Sequence, residues 1–182
     1  MMVKIRMNFT INIKMKRHID MQEDLLSAIQ YGKHKRIKKL IREGVNVDEC
    51  NFYGKTPLLL SVERGHKKCM KILIAANANV NICDFEGITP LSVAVFKGYH
   101  KCIKPLIEAG ADIDSAKKNN GETFLHIAAY QGHHKCIPIL QKYGVNASEM
   151  NHDGNTPLHI ADMQRKHKCV TSLIDSEKKY SK

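Results

Sequence analysis

Gly54-Lys55-Thr56-Pro57-Leu58, Gly87-Ile88-Thr89-Pro90-Leu91, Gly121-Glu122-Thr123-Phe124-Leu125 and Gly154-Asn155-Thr156-Pro157-Leu158 are four versions of one phrase, stepped by 33, 34 and 33 residues. Cys69, Cys102, Cys136 and Cys169 keep the same step. Glycine, threonine and cysteine moving in lockstep through four copies mark a repeat array in which each copy is one supersecondary unit.

Outward from the phrase, each residue type has a local job. The threonine hydroxyl can accept from an unpaired helix-start amide, and proline suits the first helical position. Leu58 to Val62 and Leu91 to Val95 therefore read as short apolar helices. Gly65, Gly98 and Gly132 reverse the chain. A second, amphipathic helix follows, as in Lys67 to Ile74, and closes at Asn77, Gly110 or Gly144, residues that tolerate positive φ. Extended segments run to the next turn. No such unit can bury its apolar face alone, so neighbouring units must stack to build a core.

The phrase, the later pairs Gly65-His66 and Gly132-His133, and the ending Gly110-Ala111-Asp112-Ile113-Asp114 together resemble the ankyrin-repeat family. The resemblance covers about nine-tenths of the chain. It implies an all-α solenoid of helix-turn-helix units joined by β-hairpin-like turns. Residues 20–50 look like an N-terminal cap, with Gly32 and Gly44-Val45-Asn46-Val47-Asp48 in register; full repeats span 51–83, 84–117 and 118–150. A C-terminal cap follows over 151–177, then a short polar tail over 178–182. By the same resemblance the chain is a non-catalytic protein-binding module, an adaptor or a stoichiometric inhibitor, expected to be monomeric. Some similar proteins inhibit Rel-type transcription factors. Others carry substrates to ubiquitin ligases through an appended box, for which no room is expected after Lys182.

Three departures bear on local structure. Pro105 and Pro138 fall inside second helices, where each would remove a backbone bond at up to ~3 kcal/mol, so these helices are predicted to bend or fray. Arg165-Lys166 stands where other repeats have Gly-His, and the helix after it, around Cys169-Val170-Thr171-Ser172-Leu173, is more polar, as a terminal cap should be.

The first 19 residues stand apart. Val3, Ile5, Met7, Phe9, Ile11, Ile13 and Met15 alternate with polar residues, the period of a strand rather than a helix. Such a segment is expected either to add to a partner's sheet edge or to remain an unpaired, disordered basic arm. Translation from Met15 or Met21 and a mitochondrial presequence are further readings, the latter weakened by the alternation. Residues 1–39 carry ten Lys/Arg against three acids, most of the formal net charge of +11, which favours acidic partners without choosing among them. No run approaches the ~18–20 apolar residues of a membrane span. The absent apolar leader devalues the glycosylation-type triplets at Asn8 and Asn146.

Six cysteines and ten histidines raise the question of metal. Residues two apart on a helix do not face each other, so pairs such as His100 and Cys102 cannot chelate together. The four repeated cysteines occupy an apolar slot and should point inward as small hydrophobes. Equivalent positions in adjacent repeats lie ~8–10 Å apart, beyond disulfide reach. Reduced thiols in the cytoplasm or nucleus, with no metal and no cofactor, are the expectation. No Gly-x-Ser-x-Gly, phosphate-cradling loop or His-Glu-x-x-His occurs. His126 and His159 sit where the family places a structural histidine that bonds between repeats, so no enzyme activity is expected.

The resemblance puts partners on the turn tips and on the adjacent face of the first helices. Carried over by position, the candidates are Phe52, Tyr53, Lys55, Arg64, Phe85, Ile88, Phe96, Lys97, Tyr130, Gln131 and Met163. Asn119 and Asn120 mark the tip of the 118–150 repeat. Aromatics flanked by cations are typical interface anchors; for Phe52 and Phe85 packing against a neighbouring turn is the competing reading. A lysine ridge on the second helices (Lys35, Lys38, Lys67, Lys68, Lys71, Lys101, Lys104, Lys135, Lys168) is ordinarily a solvated face. Its alternative is a nucleic-acid or anionic-membrane contact through phosphates, which no motif supports.

Overall fold

The computed structural model describes the backbone of residues 2–118 and 120–180, and the side chains of residues 14–116 and 120–175. Asn119 lies outside the described residues. The described residues form helices and turns, with no strand among them, and the chain divides into one unit running to Asn79 and one from Val80 onward.

The first unit holds α1 (Met2–Gln30), α2 (His34–Arg42), α3 (Pro57–Glu63) and α4 (Lys67–Ala75). Leu25, Ala28 and Ile29, spaced for one helix face, are fully buried where α1 meets α2 and α3. The Arg36 guanidinium donates to the Asp24 carboxylate. That hydrogen bond, with the cation's charge behind it, holds the Asp24 carboxyl below its usual range. The same link ties α2 to α1.

At the N-terminus the structure corrects the sequence reading. Residues 2–19, expected to be a strand or an unpaired arm, continue α1 as helix. The segment has no Gly or Pro and is rich in Lys, Arg and Met, and once residues 20–30 are fixed by packing each added residue gains a bond without a new nucleus. Alternation is a statement about side-chain faces, and it decides for a strand only where a sheet exists to bury one face.

The second unit holds α5 (Pro90–Phe96), α6 (His100–Glu108), a 3-10 turn (Ser115–Lys118), α7 (Phe124–Gln131), α8 (Ile137–Lys142), α9 (Pro157–Met163) and α10 (His167–Tyr180). First helices pack in the order α5, α7, α9, and second helices in the order α6, α8, α10. Leu91, Ala94, Val95, Ile103, Leu106, Phe124, Leu125, Ala128, Ala129, Ile137 and Leu140 form their shared core.

Local chemistry sets the helix ends. The Thr56 hydroxyl accepts from the Leu59 amide, the Thr89 hydroxyl from Ser92, and the Thr156 hydroxyl from His159. The second helices close at Asn77, Gly110 and Gly144, all at positive φ as expected. Arg165 also takes a positive φ, 52°, the conformation its glycine counterparts adopt without strain.

The two prolines behave differently from each other. α6 runs through Pro105 without a break, from His100 to Glu108. Pro138 does not sit inside a helix: α8 begins at Ile137, so the ring occupies the first turn, where no amide is needed. The turn preceding it is closed by the Cys136 amide donating to the His133 carbonyl. The proline has shortened its helix from the front. At the far end, α10 carries the chain as helix to Tyr180, past the start of the expected tail.

Candidate partner-binding face

Three turn tips are built by one side chain each. Asn51 Oδ1 accepts from the Tyr53 and Lys55 amides, Asp84 Oδ1 from Glu86 and Ile88, and Asn151 Oδ1 from Asp153 and Asn155. The flanking backbone closes as in a hairpin, Asn51 N–H to Lys55 carbonyl, Asp84 to Ile88 and Asn151 to Asn155. Asp84 and Asn151 are buried beneath the tips they hold, where an unsatisfied carbonyl or carboxylate oxygen would be costly. These residues were missed as a set in the sequence, though each stands three before a repeated glycine. In the repeat over 118–150 Lys118 holds that register, at the end of a 3-10 turn over Ser115–Lys118.

The tips project their aromatics outward. Phe52 is 90% exposed and Phe85 81%, so neither is packed against a neighbouring turn. The Phe52 and Tyr53 rings meet edge to face at 5.7 Å. Lys55 is committed differently: its ammonium lies 2.6 Å from a Glu63 carboxylate oxygen. Arg64 is exposed at the end of α3. In the second unit Lys97 is exposed while Ile88 and Gln131 are half-buried.

Phe96, Tyr130 and Met163, at one register of α5, α7 and α9, are 56%, 53% and 58% exposed. One exposed apolar side chain is ordinary on any surface. Three at the same register of helices that pack in sequence make a row, with steps of ~8–10 Å. In the first unit the same register holds Glu63, bound to Lys55. The apolar row therefore belongs to the second unit.

Histidine chemistry fixes the helices beneath that row. His126 is buried. The Thr123 amide donates to its Nδ1 at 3.0 Å, which leaves the proton on Nε2 to be donated to the Asn155 carbonyl at 2.8 Å. His126 thus bonds from one repeat to the next, as expected of it. His159 accepts from the Thr156 amide but is exposed and makes no bond to another repeat among the described residues. His133 Nε2 donates to the Phe96 carbonyl at 2.9 Å, tying the end of α5, where the row begins, to the following repeat.

The repeated thiols are interior. Cys69, Cys102, Cys136 and Cys169 are buried, whereas Cys50 and Cys83 are exposed. Burial, with Cys169 nearby, pushes the Cys136 thiol up to about 12, and burial also raises Cys69 and Cys169. A thiol held protonated is a poor nucleophile. Iodoacetamide at pH 8 is therefore expected to alkylate the folded protein at Cys50 and Cys83 and to reach the other four only after denaturant is added. Peptide mass spectrometry with adducts spread over all six in the folded state would contradict the interior placement.

A search of curated proteins finds no match to this chain. A family model described as ankyrin repeats (3 copies) matches residues 25–117 and 114–182, which takes in both units and every turn tip described above. The helical hairpins on a ~33-residue step are consistent with that match. The chain belongs to the ankyrin-repeat family.

Proposed function

We propose that the row Phe96, Tyr130 and Met163 is where this chain captures a partner protein, acting as a non-catalytic adaptor or as an inhibitor that works by occlusion. Ankyrin repeats are protein–protein interaction modules in general, and the observation that carries the finer reading is that row. Positions more than half exposed gain little in folding from a large apolar side chain over a polar one of similar size. Three large apolar groups kept in water at one register are best explained by a partner that buries them. Lys97 borders the row in the second unit; Phe52, Tyr53 and Arg64 give the first unit contacts of its own. Cysteines that form no disulfide among the described residues support a reducing compartment, cytoplasm or nucleus, as the place of encounter. We take the chain to act as a monomer.

The test is a triple substitution, Phe96→Ala, Tyr130→Ala and Met163→Ala, in the full chain. Crosslinking in the native cell, read by mass spectrometry, is expected to lose the partner crosslinked near the row. The melting temperature should fall by no more than about 5 °C, because surface changes of this kind fall within about 0.5 kcal/mol each. Unchanged crosslinks in the triple variant would remove the row from the interface. A large fall in melting temperature would reassign these side chains to packing.

A further inference from the structure

Within the first unit, α2 and α4 pack side by side and leave between them a groove of about 440 Å³, lined by Lys38, Ile41, Arg42, Lys71, Ile72, Ala75 and Ala76. The spacing explains the lining. Lys38, Ile41 and Arg42 are i, i+3 and i+4 on one helix face. Lys71 with Ala75 and Ile72 with Ala76 form two adjacent i, i+4 rows on the other. Ile41, Ile72 and the two alanines make an apolar floor, and three cations stand around it.

The charge on these helices is one-sided. α2 and α4 together carry eight Lys/Arg and no acid. Arg36 is occupied by Asp24, and Lys39 faces Glu43 at 3.7 Å. Lys35, Lys38, Arg42, Lys67, Lys68 and Lys71 form no ion pair among the described residues. A lysine face is ordinarily just solvated; this one differs in that its like charge gathers around an apolar hollow.

We propose that this groove binds a short acidic peptide segment that presents an aliphatic side chain between carboxylates. The apolar group would cover Ile41, Ile72, Ala75 and Ala76, and flanking carboxylates would pair with Lys38, Arg42 and Lys71. The floor decides among polyanions. A phosphodiester backbone has nothing to bury there, and the groove offers no aromatic ring on which a base could stack. An anionic bilayer meeting these lysines presents phosphate and solvated headgroups, with its acyl chains below that plane. Only a polypeptide places carboxylate and aliphatic groups within one residue of each other. The volume lies at the lower end of the ~300–1,000 Å³ of ligand clefts, which suits one or two side chains. The groove is separate from the apolar row, so the proposal stands or falls independently of the partner reading given above.

The experiment uses the full chain and a fluorescein-labelled octapeptide with a central leucine flanked by aspartate and glutamate pairs. Fluorescence anisotropy at 0.1 M salt is expected to show binding in the range of about 10–100 μM. Exchanging the probe's leucine for serine should weaken binding about fivefold or more, the scale of one partly buried aliphatic group. The variant Lys38→Glu, Arg42→Glu, Lys71→Glu should weaken the acidic probe about tenfold or more, while a probe with lysines in place of its acids should gain affinity for that variant. All three positions are exposed, and circular dichroism with a melting curve establishes that the variant is folded. Equal binding of the leucine and serine probes would reduce the site to charge alone and overturn the proposal. So would undiminished binding to the charge-reversed variant, or selective retention of a single-stranded oligonucleotide or of phosphatidylserine vesicles over the peptide.

Discussion

Phe124→Pro, the substitution that gives the 118–150 repeat the Thr-Pro start of its neighbours, is expected to destabilise the second unit by about 3 kcal/mol. Sequence statistics point the other way, since proline suits the first helical position and fills it in α3, α5 and α9. Packing decides the sign. Phe124 is fully buried and is the largest such side chain among the described residues; a pyrrolidine ring in its place leaves most of that volume empty. Loss of a buried phenyl group costs ~3–5 kcal/mol when the surroundings do not collapse. Proline's fixed φ returns only about 0.4–1 kcal/mol through the unfolded chain. For a unit of this size the melting temperature should fall by about 10 °C or more. Phe124→Leu, which keeps part of the volume, should lose about half as much. A Phe124→Pro protein melting at or above the parent's temperature would show that the family's preferred residue outweighs the cavity here.

The contrast between position 124 and its counterparts shows what the sequence could and could not say. Repeat length, threonine-started helices, interior cysteines and left-handed helix closures were legible because each rests on local chemistry copied at a fixed step. Phe124 reads as a departure from the phrase, and only the packed structure shows that it fills the core. Pro138 misleads for a related reason. Repeat register puts it inside a helix, but α8 starts later, at Ile137, which leaves the ring in the first turn. The N-terminal helix was missed because period-two alternation describes side chains, whereas the backbone follows its neighbour when no sheet is present. The candidate partner face was only half legible. The resemblance put Phe96, Tyr130 and Met163 among eleven candidates, and exposure separates them from Lys55, already bound to Glu63, and from the half-buried Ile88 and Gln131. The groove between α2 and α4 was not legible, since it exists only where two helices from different repeats meet. The lysine ridge contained two of its three cations without hinting at the hollow between them.

Gly98→Ala should destabilise the second unit by about 2–4 kcal/mol, and Gly110→Ala by only about 1–2 kcal/mol, although both glycines have left-handed backbones. Their φ values are 70° and 90°, so both alanines incur similar backbone strain. The difference lies in what a methyl group meets. At Gly110 nothing lies within 4 Å. At Gly98 a Cβ would stand 2.6 Å from His133 Nδ1 and 2.8 Å from its Cε1 and Cγ. Because Cγ is among the clashing atoms, rotation of the ring tip cannot relieve the overlap; the whole imidazole must leave. It then gives up the 2.9 Å bond from Nε2 to the Phe96 carbonyl, worth about 0.5–1.5 kcal/mol net, together with its packing on the turn. A double-mutant cycle separates these effects. In a His133→Ala background, Gly98→Ala should cost no more than Gly110→Ala does, giving a coupling of about 1–2 kcal/mol between positions 98 and 133. Identical costs for Gly98→Ala in both backgrounds would mean that the imidazole does not hold the turn. The cycle also bears on partner capture. The carbonyl that His133 grips belongs to Phe96, the first member of the exposed row, so freeing it loosens the end of α5 while removing no residue from the row. A partner that reads Phe96, Tyr130 and Met163 as a rigid set should therefore dissociate faster from Gly98→Ala than from Gly110→Ala when both are held below their melting transitions.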